Sequence, residues 1–365
     1  MSEIRVIEVT TKRDQRSFHK FRRELYKKDK NFISHLDVDV ESLFHNQSNP
    51  HLTEGECARW LALEDGKVRG KIAAFKTPKA TGIGFFDAVN EQYVANALFQ
   101  TAEDWLKSKG VEQYEAPINV GERDRFWGLL IEGDRPSSFQ ENYNYSYYQS
   151  LFENFGFKKS FEQTTSELTP AHIDYEFVES LSTRAERIDN LRVEHIKFKE
   201  LDRYVKDFVS IYNQAWSSYS YYQEVTEEEI TTLFKKMKLI LRENMIWFTY
   251  VGQRPVAFYV SALDVNPLFK KLNGKFGWFS KLKFLWAKRN FKFVRTRGLV
   301  FGVIPDYQNK AVFVPMMLAM FKAFNGDPFL KYIELSWIGD FNPKMHALFE
   351  RIGAVKSKLH YTYEK

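Results

Sequence analysis

The sequence predicts an α/β fold with a mixed sheet, built as two tandem copies of one unit. Three observations carry this. The chain has 365 residues, more than one ordinary domain needs. Its hydrophobic fraction is 44% and its aromatic fraction 16%, so a sizeable core can be buried, with thick packing between rings. The third observation is an internal repeat, of pattern rather than of identity.

Each half opens on a strand followed by a helix, "IRVIEVTTKRDQRSFHKFRRELY" and "LRVEHIKFKELDRYVKDFVSIYNQAW". A hairpin comes next. In the first half, "ARWLALEDGKVRGKIAAFK" turns at Glu64-Asp65-Gly66-Lys67, and Asp-Gly is a strong hairpin signal. In the second, "MIWFTYVGQRPVAFYVSAL" turns at Gly252-Gln253-Arg254-Pro255 between alternating apolar residues. A strand and an amphipathic helix follow. "GIGFFDAV" leads into "NEQYVANALFQTAEDWLKSKG", where Val94, Leu98, Ala102 and Trp105 recur at helical spacing and Gly110 supplies the stop. "GLVFGVIP" leads into "NKAVFVPMMLAMFKAFNG". Each half then adds a strand ("VEQYEAPIN", "KYIELSWIG"), a helix ("SYYQSLFENFGF", "NPKMHALFERIGA") and an alternating strand ("KKSFEQTTSEL", "VKSKLHYTYEK"). Strands and helices mixed in this order form a layered sheet in each copy. The first copy spans 1–170 and the second 190–365. Between them "RAERIDN" is polar and expected to be helical.

Composition excludes several classes. There is no apolar run long enough to span a bilayer, and the charged, alternating start lacks the apolar core of a signal peptide. One cysteine, Cys57, excludes an intrachain disulfide and a cysteine metal site; its strand-like neighbours suggest a buried thiol. These features together favour a cytoplasmic protein. The net charge of +6 is a mild excess that does not imply nucleic acid, although it concentrates between Lys270 and Arg297.

The residues Val303-Ile304-Pro305-Asp306-Tyr307-Gln308-Asn309-Lys310-Ala311, Asn342 followed by "ALFERIGA", and "YYQSLFENFGF" in the first half resemble the GNAT acyltransferase superfamily, and the tandem resembles its double-domain members. The resemblance implies two mostly antiparallel twisted sheets flanked by helices. It also implies acetyl-CoA or another acyl-CoA as co-substrate and a small-molecule amine as acceptor. The strand–loop–helix would bind the coenzyme pyrophosphate, with Val303, Gln308, Asn309, Lys310, Ala311, Val312, Phe313 and Asn342 as the implied contacts. The physical need is for backbone N–H groups at a helix start with nothing projecting into the anion. The family places glycines where this chain has Ala311 and Phe313, and Pro315 is tolerated in a first helical turn. The equivalent turn of the first copy, Ala88 to Tyr93, has no glycine and adds Glu91, whose charge would repel a pyrophosphate. The first copy is therefore expected to be degenerate.

Acyl transfer to an amine needs a base for the ammonium proton and an acid for the leaving thiolate. The family's acid is often a Tyr on the last helix; here Phe152 and Phe349 stand there. Glu334 alternates with Tyr332 and Ser336 on one face of its strand. It is the candidate base, or else a structural carboxylate paired with a Lys or Arg. His346 and His360 show no metal-ligand spacing, and no metal is expected. The loop from Gly121 to Tyr148 is long, polar and aromatic; Arg123, Tyr145 and Tyr148 are its candidate substrate contacts. The segment 266–298 interrupts the second copy with aromatic residues among lysines. Such a pattern permits nucleic-acid or membrane-surface binding, but it is read as two short helices packed over the domain, making both partners unlikely. A non-catalytic binding protein using the cleft between two degenerate copies remains the alternative, and the oligomeric state is open.

Overall fold

The structure is a computed structural model that describes residues 3–120, 125–217, 224–238 and 240–365. The first copy comprises β1 (Arg5–Glu8), α1 (Lys12–Leu25), α2 (Asp37–Ser42), the hairpin β2 (Glu56–Glu64) and β3 (Lys67–Lys76), β4 (Thr81–Ala88) and α3 (Gln92–Ser108). It continues with β5 (Glu115–Ala116), β6 (Leu129–Glu132), α4 (Tyr148–Phe155) and β7 (Lys158–Leu168). After α5 (Tyr175–Ala185), the second copy runs through β8 (Leu191–His195), α6 (Leu201–Trp216), α7 (Glu227–Met237), the hairpin β9 (Ile246–Val251) and β10 (Arg254–Leu263), α8 (Asn266–Lys270) and α9 (Trp278–Asn290). It ends with β11 (Arg295–Val303), α10 (Val314–Asn325), β12 (Tyr332–Glu334), β13 (Ile338–Gly339), α11 (Pro343–Arg351) and β14 (Val355–Glu364).

Local chemistry explains much of this order. Asp65 and Gly66 both take positive φ, 50° and 74°, the conformation of a tight turn that matches strand twist. The second hairpin turns on Gly252, φ 60°, so its loop is tighter than the four residues expected. Thr11 and Asp14 cap α1 reciprocally, as Thr226 and Glu229 cap α7. Val94, Leu98, Ala102 and Leu106 of α3 are buried in the core of the first copy, and Trp105 meets Trp60 edge-on at its margin. The linker helix stops at Ala185, so most of "RAERIDN" lies beyond it. β5 is only two residues long because Pro117, which has no N–H to donate, follows at once.

The described strands form one 14-stranded sheet whose main path is β1-β2-β3-β4-β5-β14-β7-β12-β11-β10-β9-β8. The copies therefore exchange their last strands. β14, from the end of the second copy, lies between β5 and β7 of the first. β7, from the end of the first copy, lies against β12 of the second.

Reading the insertion as two helices packed over the domain accounts for Leu268, Phe269, Leu272 and Phe284, which are buried. It does not account for Trp278, Phe279 and Trp286, which are 71%, 84% and 72% exposed. A helix this short can turn only one face inward, and that face carries Phe284, stacked on Phe269.

Candidate functional site

The second copy contains an opening between two parallel strands. β11 and β12 pair at Arg295–Tyr332, Thr296–Ile333 and Arg297–Glu334. Beyond Glu334 the chain leaves β11 and crosses to β7, where Leu335 donates to Ser166 and Ile338 pairs with Thr164. β11 runs on to Val303 paired, among the described residues, only with β10. The Ser336 hydroxyl marks the apex of the parting, donating to the Gly298 carbonyl at 2.8 Å. A register shift leaves Leu299 as an extra residue there, the kind of bulge that bends a strand.

At the far end of β11 lies the expected strand–loop–helix. A single turn, Pro305–Tyr307, leads to Gln308, Asn309 and Lys310, all exposed, and then to α10, with Pro315 in its first turn. Ala311 has φ 53°, a left-handed conformation that glycine adopts freely and alanine only at a cost. The backbone thus keeps the shape of a glycine turn without the glycine. The amides of Val312, Phe313 and Met316 find no acceptor among the described residues, as expected of a helix start. Val312 is buried, and Phe313 lays its ring against Phe301 of β11, centroids 5.4 Å apart. Gln308 donates to the Val303 carbonyl at 3.3 Å, and the Lys310 ammonium sits 4.6 Å from the centre of the Tyr307 ring. Asn342 follows the other lip of the opening; its side chain caps α11 by accepting from Met345.

Glu334 lies at the apex within a buried charged set. Its carboxylate accepts from Lys358 at 2.7 Å, from Arg295 at 3.0 Å and from the Ser138 hydroxyl. Lys358 also donates to Glu141 at 2.6 Å, and Arg295 grips Asp264 through two nitrogens, at 2.6 and 2.9 Å. Burial would raise the Glu334 carboxyl, but Lys358 and Arg295 outweigh it and hold it well below the ordinary carboxylate range. Burial would raise Glu141 as well, but Lys358 above all holds it down, whereas burial prevails at Asp264 and raises it. Of the two readings the sequence left for Glu334, the geometry matches the paired carboxylate: it is ionised, weakly basic and 1% exposed. Its partners were missed because they lie far apart in the chain. Arg295 and Arg297, two apart on one strand face, are the only signal that alternation offered.

The remaining candidates are dispersed. His360 is fully buried beside Trp127, and burial lowers it to about 4, so it is neutral. His346 meets the Gly339 carbonyl. Tyr148 is 1% exposed, its hydroxyl accepting from the Ala88 amide and lying 3.3 Å from Asp87. Tyr145 reaches the Leu25 carbonyl and stacks on Tyr26. Both tyrosines thus serve the interior of the first copy. Arg123, with Glu122 and Asp124, lies outside the described residues. Glu91 caps α3 by position alone. Sequence reasoning also missed Asp87, fully buried between Arg22 at 2.6 Å and Lys71 at 3.3 Å. Burial lowers Lys71 to about 8. Burial likewise raises the Cys57 thiol to about 11, leaving it unreactive.

No family model matches the chain. By sequence it is similar to Protein YghO of Escherichia coli (strain K12), 28% identical over 380 residues that cover 97% of this chain and 93% of that protein. It is also similar to a bacterial ceramide synthase of Caulobacter vibrioides (strain NA1000 / CB15N), 26% identical over 382 residues covering 100% and 98%. Among solved structures, a GCN5-related glucosamine N-acetyltransferase region of a fungal multi-domain β-N-acetylglucosaminidase aligns at TM-score 0.59 and 9% identity; the chain is covered completely but spans only 38% of that protein. A tandem GNAT protein from the clavulanic acid biosynthesis pathway aligns at TM-score 0.56 and 9% identity, covering 100% of this chain and 98% of its own. At such identities the likeness concerns architecture. The chain has the tandem GCN5-related N-acetyltransferase fold.

Proposed function

We propose that the protein is an N-acyltransferase that takes an acyl group from acyl-CoA in its second copy and delivers it to an amine. The observation that carries this reading is the parting of β11 from β12 beside a helix start whose amides are free. In this reading the amides of Val312 and Phe313 receive the pyrophosphate, with Gln308, Asn309, Lys310 and Ala311 around it. Val303 and Asn342 border the slot that holds the rest of the coenzyme. The amine attacks the thioester carbonyl, the amide bond forms as the carbon–sulfur bond breaks, and the ammonium proton must leave while the thiolate gains one. Glu334 stands at the apex, and its burial suits a role through Ser138 or water rather than direct contact.

The similarity to a ceramide synthase along the whole chain supports a long-chain amine as acceptor and a fatty acyl-CoA as donor. In this reading the acceptor lies on the side of the opening where the buried segment around Ser138 meets Glu334. Isothermal titration with a series of acyl-CoAs, followed by mass spectrometry of incubations with a long-chain amino alcohol, tests this. An amide product supports the reading; no heat and no thermal shift at millimolar acyl-CoA would remove it. Phe152 and Phe349, at the positions of the family's acid, favour a second reading as a binding protein. That reading predicts coenzyme binding without turnover.

A further inference from the structure

We propose that α9 docks the protein onto the surface of an anionic lipid bilayer. The helix carries two apolar faces. The inner one holds Phe284, packed on Phe269, with Ala287 beside it. The outer one holds Trp278, Phe279, Leu282, Leu285 and Trp286, from 47% to 84% exposed. At 3.6 residues per turn these five fall within an arc of roughly 120°, so they form one stripe. Lys281 and Lys283 flank the stripe on its two sides, both exposed. From Asn266 to Val294 the chain contains no Asp or Glu; its charges are lysines and one arginine. A contiguous apolar face rimmed by positive charge marks an interaction site, and bulky residues opposite lysines are how helices lie in a headgroup layer.

Other occupants fit less well. A second copy packed symmetrically through α9 would set lysine against lysine. Single-stranded nucleic acid would use the rings as stacking platforms, which gives Leu282 and Leu285 no role. A phosphate-bearing lipid surface satisfies rings, leucines and lysines together, each basic residue near such a surface adding to the attraction.

The position of the helix adds weight. The insertion is anchored on the buried charged set: Asn266 donates to the Ser137 carbonyl at 2.6 Å, and Asp264 holds Arg295. It is tied to the first copy as well, since the Gly274 carbonyl accepts from the Asp37 amide. Docking would therefore place the acceptor side of the opening at the bilayer. That last step rests on the acyl-transfer reading; the docking itself does not.

The test is co-sedimentation of the full chain with vesicles of phosphatidylethanolamine and phosphatidylglycerol, against vesicles of phosphatidylcholine alone. The expected result is binding to the anionic vesicles and about tenfold weaker binding to the neutral ones. Replacing Trp278, Phe279 and Trp286 with Ser should weaken anionic binding by at least about tenfold without lowering the melting temperature, because these side chains are exposed. The pair Lys281→Glu and Lys283→Glu should do the same. Failure of the unaltered chain to bind vesicles overturns the proposal, as does undiminished binding by either variant. So does a dimer that the Ser variant dissociates, or capture of a single-stranded oligonucleotide in place of vesicles. Loss of acyl transfer with vesicle binding intact would count against the function alone.

Discussion

Lys358 and Glu334 are joined at 2.7 Å although their strands are not neighbours: β7 runs between β14 and β12. Lys358 belongs to the strand lent to the first copy, and Glu334 to the strand where the opening of the second begins. Glu141, from the first copy's long loop, closes the set at 2.6 Å from Lys358. The bond therefore ties the exchanged strands, the covering loop and the apex of the site into one unit. Burying such charges is costly, and breaking one partner leaves the others unpaired.

Lys358→Met should accordingly destabilise the fold by about 3–5 kcal/mol, read from urea unfolding, with a smaller loss when Glu141→Gln is added. The pH dependence has a definite sign. Glu334 and Glu141 have folded pKa values below the ordinary 4.5. Their contribution is complete above that value and disappears as pH falls below it. Acid unfolding of the Lys358→Met variant should therefore lose this steep descent.

His360 acts on the same acid side, but at higher pH. Its folded pKa is about 4 against an ordinary 6.5, so the unfolded chain takes up a proton first as pH falls. Stability should decline between pH 6.5 and 4, by roughly 3 kcal/mol in all at 1.36 kcal/mol per pKa unit. His360→Gln should flatten that decline relative to the parent, measured as the melting temperature across this interval.

Ala311 and Phe313 separate turn geometry from access. Ala311→Gly relieves a left-handed residue and should stabilise by up to about 1 kcal/mol, whereas Ala311→Val should destabilise by about 1–2 kcal/mol. Phe313→Gly removes a ring packed on Phe301. It should cost about 2 kcal/mol, less than a fully buried Phe because the residue is only partly buried. Acyl-CoA affinity should not improve. A tighter titration isotherm for Phe313→Gly would show instead that the ring obstructs the phosphate slot.

Strand exchange predicts mutual dependence of the copies. Residues 1–170 alone leave β5 and β7 without β14 between them, and 190–365 alone lose β7 beside β12. Each half expressed alone should aggregate through its open edges, while the two co-expressed should co-purify as one complex. A soluble, cooperatively melting 1–170 fragment would contradict this.

The sequence by itself determined most of the elements and their order, although β6 lies within the stretch read as a loop and "KYIELSWIG", read as one strand, divides into β12 and β13. Asp65-Gly66 can hardly be anything but a hairpin turn, and the spacing of Val94, Leu98 and Ala102 suits only a helix with one buried face. These signals are local, set by backbone sterics and by which side of an element meets water. It also named the Gln308–Phe313 loop, since a polar stretch between strand and helix is legible as such. Three things were decided only by the tertiary structure. Phe313 turns onto Phe301 because β11 presents that ring beside the helix start. Glu334 is paired and buried because Lys358, Arg295 and Ser138 converge on it from three distant segments. Both last strands also cross to the other copy. "KKSFEQTTSEL" and "VKSKLHYTYEK" alternate alike, so periodicity shows that each is a strand but not whose edge it joins. That choice depends on which edge lies open once the rest of the chain has folded, a property of the assembled sheet and not of any one segment.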